Sequence, residues 1–412
     1  MVNLTSQELI ELENKYGAHN YHPLPVVLNR GEGAFVWDVE EKKYYDFLSA
    51  YSAVNQGHGH PRIIDALTKQ AQKLALTSRA FHSTELGIYE KYITELFGYE
   101  KVLPMNTGAE AVETAIKIAR KWGYERKGIP SGQAKIIVCD GNFHGRTTTI
   151  ISFSNDEEAR NNFNPYTSGF LSVEYNDVKS LRAAIEKDSA TICGFLMEPI
   201  QGEAGVNVPD EGYLSECFEI CKEHNVLFIA DEIQTGIART GKMLAVDHEN
   251  VKPDMLILGK ALSGGAYPVS AVLADDKIMN VIQPGQHGST YGGNPLACAV
   301  AMEALQVVLD EDLANKAAHL GEIFRSEIEK MIPKYPFLKS VRGKGLLNAV
   351  LINDSPESTT AWDLCIDLMN NGVLAKPTHG NIIRFAPPLV ISEEDLRAAL
   401  KILDQTFMNF RK

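Results

Sequence analysis

Between residues 100 and 275 short apolar runs alternate with amphipathic helical segments, and this alternation restricts the fold more than any other feature of the chain. "KIIVCD" from Lys135, "ICGFLMEP" from Ile192, "VLFIADE" from Val226 and "DMLILGK" from Asp254 read as strands, and each closes on polar residues. Strands separated in this way by helices predict a mostly parallel sheet covered on both faces. In open sheets of that class ligands gather beyond the carboxyl ends of the strands. Chemistry is therefore to be sought at Asp140 to Arg146, Glu198 to Glu203, Asp231 to Gln234, and Lys260.

A chain of 412 residues exceeds the size at which one core usually keeps growing, so a second, smaller unit is expected. The Gly-rich loop "VIQPGQHGSTYGGNPLA" leads into a helix that Asn294 can cap and Pro295 can begin. Beyond it the pattern is helix, strand pair ("KSVRGKGLLNAVLI"), helix, strand ("NIIRFAPPLV") and final helix, a local α+β arrangement. The early hairpin "GAFVWDVEEKKYYDF" has no partner of its own and is expected to pack onto that C-terminal lobe. The expected division is an N-terminal segment, residues 1–51, joining the small domain; a large cofactor-binding domain, 52–299; and a small domain, 300–412.

A formal net charge of −13 argues against nucleic acid or an anionic membrane surface as partner, and an anionic small substrate would need locally placed arginines. No apolar run approaches a membrane span. The six cysteines form no C-x-x-C pair, and the acidic N-terminus reads as neither a secretory signal nor a transit peptide, which together predict reduced thiols and a cytoplasmic location. Cys217, Cys221 and His224 would share one helix face but lack a fourth ligand, so no metal is expected.

The stretch "NTGAEAVETAIKIARKWG" opens on Thr107 and carries Glu110 three residues later, a capping-box pattern, with apolar residues at 112, 115, 116 and 119 on one face. Gly108 would let a ligand approach the first-turn N–H groups, where unpaired donors and the helix dipole favour an anion such as phosphate. An ordinary capped core helix shows the same pattern. Asp231 closes the buried run "VLFIA", so its carboxylate needs a cation or a protonated nitrogen. Lys260 closes another such run 29 residues later, about one crossover away, so the two ends can be neighbours. Partly desolvated, that lysine is a neutral nucleophile for a carbonyl; facing solvent, it is only a surface charge. A helix terminus for phosphate, an acid for a protonated ring nitrogen and a lysine for an aldehyde together describe pyridoxal phosphate. Phe143 then has a place as the flat residue against the ring. A cofactor-free aldolase, with Lys260 attacking the substrate carbonyl itself, is the competing chemistry, and the colour of the protein separates the two.

At these residues the chain resembles the class III, ornithine-type pyridoxal-phosphate aminotransferases. The likeness spans nearly the whole length, through "YGAHNYHPLPVVLNRGEG", "SAYSAVNQGHGHP", "LTSRAF", "GNFHGRT", "EPIQGEAGV", "LFIADEIQTGIARTG", "LGKALSGGAYPVSAVL", "GSTYGGNPLA" and "LAKPTHGNIIRFAPPLVI". The resemblance implies fold type I of the pyridoxal-phosphate transferases: a large domain with a mostly parallel seven-stranded sheet, and a smaller α+β domain from both termini. It makes Lys260 the Schiff-base lysine and proton carrier, and Asp231 the partner of the pyridine nitrogen. Gln234 would bond the ring oxygen, Thr107, Gly108 and Ala109 would hold the phosphate, and His144 would sit beside the stacking Phe143. Ser289 and Thr290 would reach that phosphate from a partner subunit, which implies a homodimer or higher homo-oligomer with shared sites.

The resemblance further implies cationic L-ornithine and dianionic 2-oxoglutarate as substrates of one pocket, with acetylornithine or 4-aminobutyrate as alternatives. Arg384 would bind the α-carboxylate of the oxo acid, and Glu203 would neutralise that arginine when ornithine is bound. Arg146 would hold the far carboxylate, while Tyr21 and Tyr51 would orient ornithine so that its δ-amine reacts. His144 stands where some relatives carry tryptophan, a trait shared with acetylornithine enzymes, whereas Tyr21 in "GAHNYHPLP" favours ornithine. The pair His58 and His60 in "QGHGHP" corresponds to a structural motif of the family, not to metal ligands.

Overall fold

A computed structural model describes residues 4–411; Met1 to Asn3, the start of the expected N-terminal segment, and Lys412 lie outside them. Strands β1 (Leu28–Glu32), β2 (Phe35–Asp38) and β3 (Lys43–Asp46) form an antiparallel run near the N-terminus. The central sheet takes β4 (Lys101–Met105), β5 (Lys135–Cys139), β6 (Phe170–Val173), β7 (Ile192–Met197), β8 (Leu227–Asp231), β9 (Met255–Leu258) and β10 (Ser270–Ala274) in the order β4-β10-β9-β8-β7-β5-β6. Every neighbouring pair from β9 to β6 is parallel; β10 alone runs against its neighbours β9 and β4.

The unbroken apolar runs of these strands have a simple cause: both faces of the sheet are covered, so alternate residues of each strand enter different cores. Phe195, Phe228, Leu256 and Leu273 face one side. Leu196, Leu227, Ile229, Ile257 and Val272 face the other, against Ala111, Val112, Ala115 and Ile118 of the helix Gly108–Trp122. Each large aliphatic side chain so buried contributes about 1.5–3 kcal/mol. The helix starts where the sequence predicts: Thr107 Oγ1 accepts from Glu110 N at 3.2 Å and the Glu110 carboxylate accepts from Thr107 N at 3.0 Å.

Asn294 caps the helix Pro295–Asp310, accepting from Ala297 N at 2.8 Å, and this helix lies against the helix Pro61–Lys73. The C-terminal part builds a second, fully antiparallel sheet from β11 (Leu338–Lys344), β12 (Leu347–Ile352), β15 (Ile382–Phe385) and β14 (Lys376–Thr378), in that order. The short strand β13 (Val373–Leu374) instead pairs in parallel with β3, adding a fourth strand to the N-terminal antiparallel run. Arg239 binds these parts together. Its fully buried guanidinium donates to Asn55 Oδ1, to Leu346 O at 3.0 Å and to Pro387 O at 2.7 Å, and burial pushes its pKa down to about 9.

All six cysteines are free and buried. Cys217 and Cys221 pack in the core, and no cluster of three potential metal ligands occurs among the described residues. No helix among them is long and apolar enough to cross a membrane.

Candidate active site

A cavity opens beyond the carboxyl ends of β5, β7, β8 and β9, where the parallel topology predicts it. Lys260 enters it directly after β9 with a φ of +44°, a left-handed conformation that costs a lysine roughly 1–2 kcal/mol. Burial pushes the pKa of its amine down, and the charges of Glu203 and Asp231 oppose that shift. The neutral amine is therefore reached at a lower pH than for a solvent-facing lysine.

Asp231 ends β8, paired with Ile257 of β9, and is buried. One oxygen accepts from Ile233 N at 3.1 Å; the other meets His144 Nδ1 at 2.6 Å. His144 thus lies against the acid as well as next to Phe143. Burial disfavours its charged form, but the hydrogen bond and charge of Asp231 prevail and raise its pKa. Phe143 forms a flat part of the cavity wall, held by a 2.9 Å bond from its N–H to Glu198. Glu198, at the end of β7, received no role from the sequence, although it falls inside a strand-end segment marked for chemistry. Burial pushes its pKa up to about 7.

Gly108 and Ala109 line the cavity through the N-terminus of their helix, and Thr107 borders a second opening that Gly108 and Lys260 also line. A Cβ on Gly108 would come within 3.0 Å of Ile233 Cδ1, so glycine lets that wall close. Gln234 donates to Glu203 at 3.2 Å, while its buried Oε1 has no hydrogen-bond partner from the protein. That amide is free to serve a ligand, directly or by turning over. Helix terminus, flat wall, buried acid, unpaired amide and desolvated lysine together fit pyridoxal phosphate.

The outer half of the site is a charge pair. Arg384, buried in β15, donates to Glu203 at 2.7 Å, and its guanidinium carbon lies 4.7 Å from the centre of the Tyr51 ring. Burial would raise the Glu203 pKa, but Arg384 holds it below the usual carboxylate range. Two further groups, neither marked by the sequence, grip the main chain there: Arg342 forks onto Gly205 O at 2.9 and 2.7 Å, and the Thr378 hydroxyl donates to Glu203 O at 3.0 Å. Arg146 is exposed, 3.6 Å from Asp156, and stands over the Phe143 ring in a cleft that Glu203 also lines. Tyr21 is exposed, on the side of Tyr51.

Ser289 and Thr290 do not line the cavity. Ser289 accepts from Asn106 Nδ2 at 2.8 Å and from Gly292 N at 3.0 Å, and Thr290 is exposed.

Comparison with known proteins gives this geometry its family. The model of "Aminotransferase class-III" matches residues 16–407. An ornithine aminotransferase of Drosophila ananassae, named as mitochondrial, is 59% identical over 404 residues, 98% of this chain and 92% of that protein. Among solved structures, acetylornithine aminotransferase from Elizabethkingia anophelis is 67% identical with a TM-score of 0.92, covering 98% of this chain and 99% of that one. Ornithine aminotransferase from Toxoplasma gondii, described with partial occupancy of PLP at its active site, is 50% identical with a TM-score of 0.96, covering 98% and 94%. The seven-stranded sheet with its smaller antiparallel companion is the fold-type-I arrangement of such enzymes. With its fold, its cavity and nearly its whole length in agreement, the chain belongs to the class III aminotransferases and is a pyridoxal-phosphate-dependent transaminase.

Proposed function

We propose that the protein is an ornithine δ-aminotransferase, moving the δ-amino group of L-ornithine to 2-oxoglutarate and forming L-glutamate 5-semialdehyde and L-glutamate. The observation that carries this reading is Glu203 paired with Arg384 inside the pocket. An enzyme that takes a cation in one half reaction and a dianion in the other needs an arginine that can be covered and uncovered, and a mobile carboxylate does that without changing the fold. Curated relatives at 52–59% identity bear the ornithine name, which supports the same substrate.

Pyridoxal phosphate supplies an aldehyde for the amine and a protonated ring that accepts electron density when the substrate carbon loses its proton. The chain's own residues supply the rest. Lys260, its amine made less basic by burial, would anchor the cofactor through its aldehyde and, once displaced by the substrate amine, would be the base that takes up the proton the substrate carbon loses. Asp231 would meet the protonated ring nitrogen, with His144 fixing the orientation of its carboxylate through the 2.6 Å contact. Phe143 would cover the ring, Gln234 would serve its oxygen, and Thr107, Gly108 and Ala109 would receive the phosphate at the helix terminus. Ser289 and Thr290 act on a second copy's phosphate, so the working unit is a homodimer or larger. Glu203 covers Arg384 while ornithine is bound and releases it to the oxo acid's α-carboxylate. Arg146 leaves Asp156 for the far carboxylate, and Tyr21 with Tyr51 holds ornithine's α-amino end.

The 67% identity to a protein named for acetylornithine supports that substrate as the second reading. The test supplies the purified, cofactor-loaded protein with 2-oxoglutarate and, separately, L-ornithine, N-acetylornithine and 4-aminobutyrate. Ornithine must give the highest kcat/KM, detected as the cyclised pyrroline product. A higher value for acetylornithine replaces the reading.

A further inference from the structure

Just ahead of the "QGHGHP" segment the backbone changes hand. Ser49, Ala50, Tyr51 and Ser52 have φ of +51°, +46°, +59° and +70°, and ψ is 46° at both Ala50 and Tyr51. Four successive L-residues, none of them glycine, thus make one turn of left-handed helix, each with its Cβ crowded against a following carbonyl oxygen. Strain of this kind persists only where the surroundings over-determine it, and it collects at functional sites.

Here the surroundings are specific. One oxygen of the buried Asp46 carboxylate accepts from Leu48 N at 2.8 Å and Ser49 N at 2.9 Å, and the other meets His58 Nε2 at 2.7 Å. Ser49 Oγ donates to Ala386 O at 2.6 Å, and Ala53 N closes the turn on Ser49 O at 2.9 Å. Ala386 stands two residues beyond Arg384. The turn is therefore tied to the same chain segment that carries the arginine against which Tyr51 packs.

We propose that Asp46 and His58 are positioning residues of the substrate pocket: they hold Ser49 to Ser52 left-handed, and the turn sets the Tyr51 ring against Arg384 in the orientation that receives a carboxylate. This deepens the function proposed above and rests on its reading of Arg384. His58 thereby gains a role through Asp46.

The test measures glutarate, a dicarboxylate without a reacting oxo group, binding to the cofactor-loaded protein by calorimetry, alongside the half reaction with 2-oxoglutarate. Asp46→Ala is expected to weaken glutarate binding at least fivefold and to raise KM for the oxo acid far more than it lowers kcat. Adding Ala50→Gly should restore most of the loss. Glycine adopts the left-handed region without a Cβ clash, and Ala50 is exposed, so little packing is removed. If Asp46 acted only through its charge, its removal would tighten an anion and Ala50→Gly would restore nothing; either result overturns the proposal. Should Asp46→Ala fail to fold, His58→Ala with and without Ala50→Gly decides the matter in the same way. Wild-type protein that does not bind glutarate would sink the reading of Arg384 itself, whereas binding unchanged in a folded Asp46→Ala sinks only the role of the turn.

Discussion

Replacing Glu203 by glutamine probes the proposed charge switch most directly, because it keeps the shape and a hydrogen-bonding oxygen while removing the charge that covers Arg384. At the observed 2.7 Å the pair is a charge-assisted contact between a buried guanidinium and a carboxylate with 27% of its side chain exposed. Coulomb attraction between charges about 4 Å apart is roughly 4 kcal/mol at an effective dielectric constant near 20. Partial exposure and the remaining amide contact reduce the net worth to about 1.5–3 kcal/mol, the range of hydrogen bonds to charged groups. An oxo acid entering the pocket must overcome that pairing; ornithine benefits from it. Glu203→Gln should therefore tighten 2-oxoglutarate by about tenfold and slow the ornithine half reaction by about 10- to 100-fold, since 1.4 kcal/mol is a factor of ten. Single-turnover mixing of each substrate with the loaded protein, followed at the cofactor's absorbance band, reads the two effects separately. A common factor in both half reactions would refute the reasoning.

Three further outcomes follow from the same geometry. Lys260→Ala removes the anchor and the proton carrier together, so borohydride should no longer fix the cofactor covalently to the chain and steady-state turnover should fall by at least a thousandfold. Arg342→Met frees the main chain that carries Glu203 and should shift the two half reactions in the same unequal direction as Glu203→Gln, more weakly; combined with Glu203→Gln it should add little further, which a double-mutant cycle checks. Glu198 has its pKa raised from an ordinary 4.5 to about 7, so its contribution to stability is fully present below pH 4.5 and is lost as pH rises through 7. Denaturant titrations should show Glu198→Gln flattening that loss, worth up to about 3 kcal/mol between pH 4.5 and 8; unchanged pH dependence would count against a protonated Glu198.

The strands at 135, 192, 226 and 254 are legible in the sequence because two covered faces demand continuous apolar runs, and their carboxyl ends border the cavity. The helix start at Thr107 was legible for a local reason as well: a capping box is written within four residues. What escaped depended on partners remote in sequence. Arg342 grips Gly205 from 137 residues away, and no periodicity announces such a contact. Asp231 demanded a positive or protonated partner, but the sequence could not place His144, 87 residues earlier, at 2.6 Å from it. The left-handed turn was hidden for a different reason: "SAYS" contains none of the glycines or asparagines that usually permit positive φ, so only tertiary contacts explain it.

The parallel pairing of β3 with β13 also bears on how the chain is made. Tyr45 waits for Val373, which leaves a ribosome 328 residues later. At about 5–20 residues per second that interval is roughly 16–66 s. Throughout it the edge of β3 that will accept β13 stays unpaired, a template for another chain. A nascent polypeptide of this design gains from anything that shields its first fifty residues until its last fifty emerge.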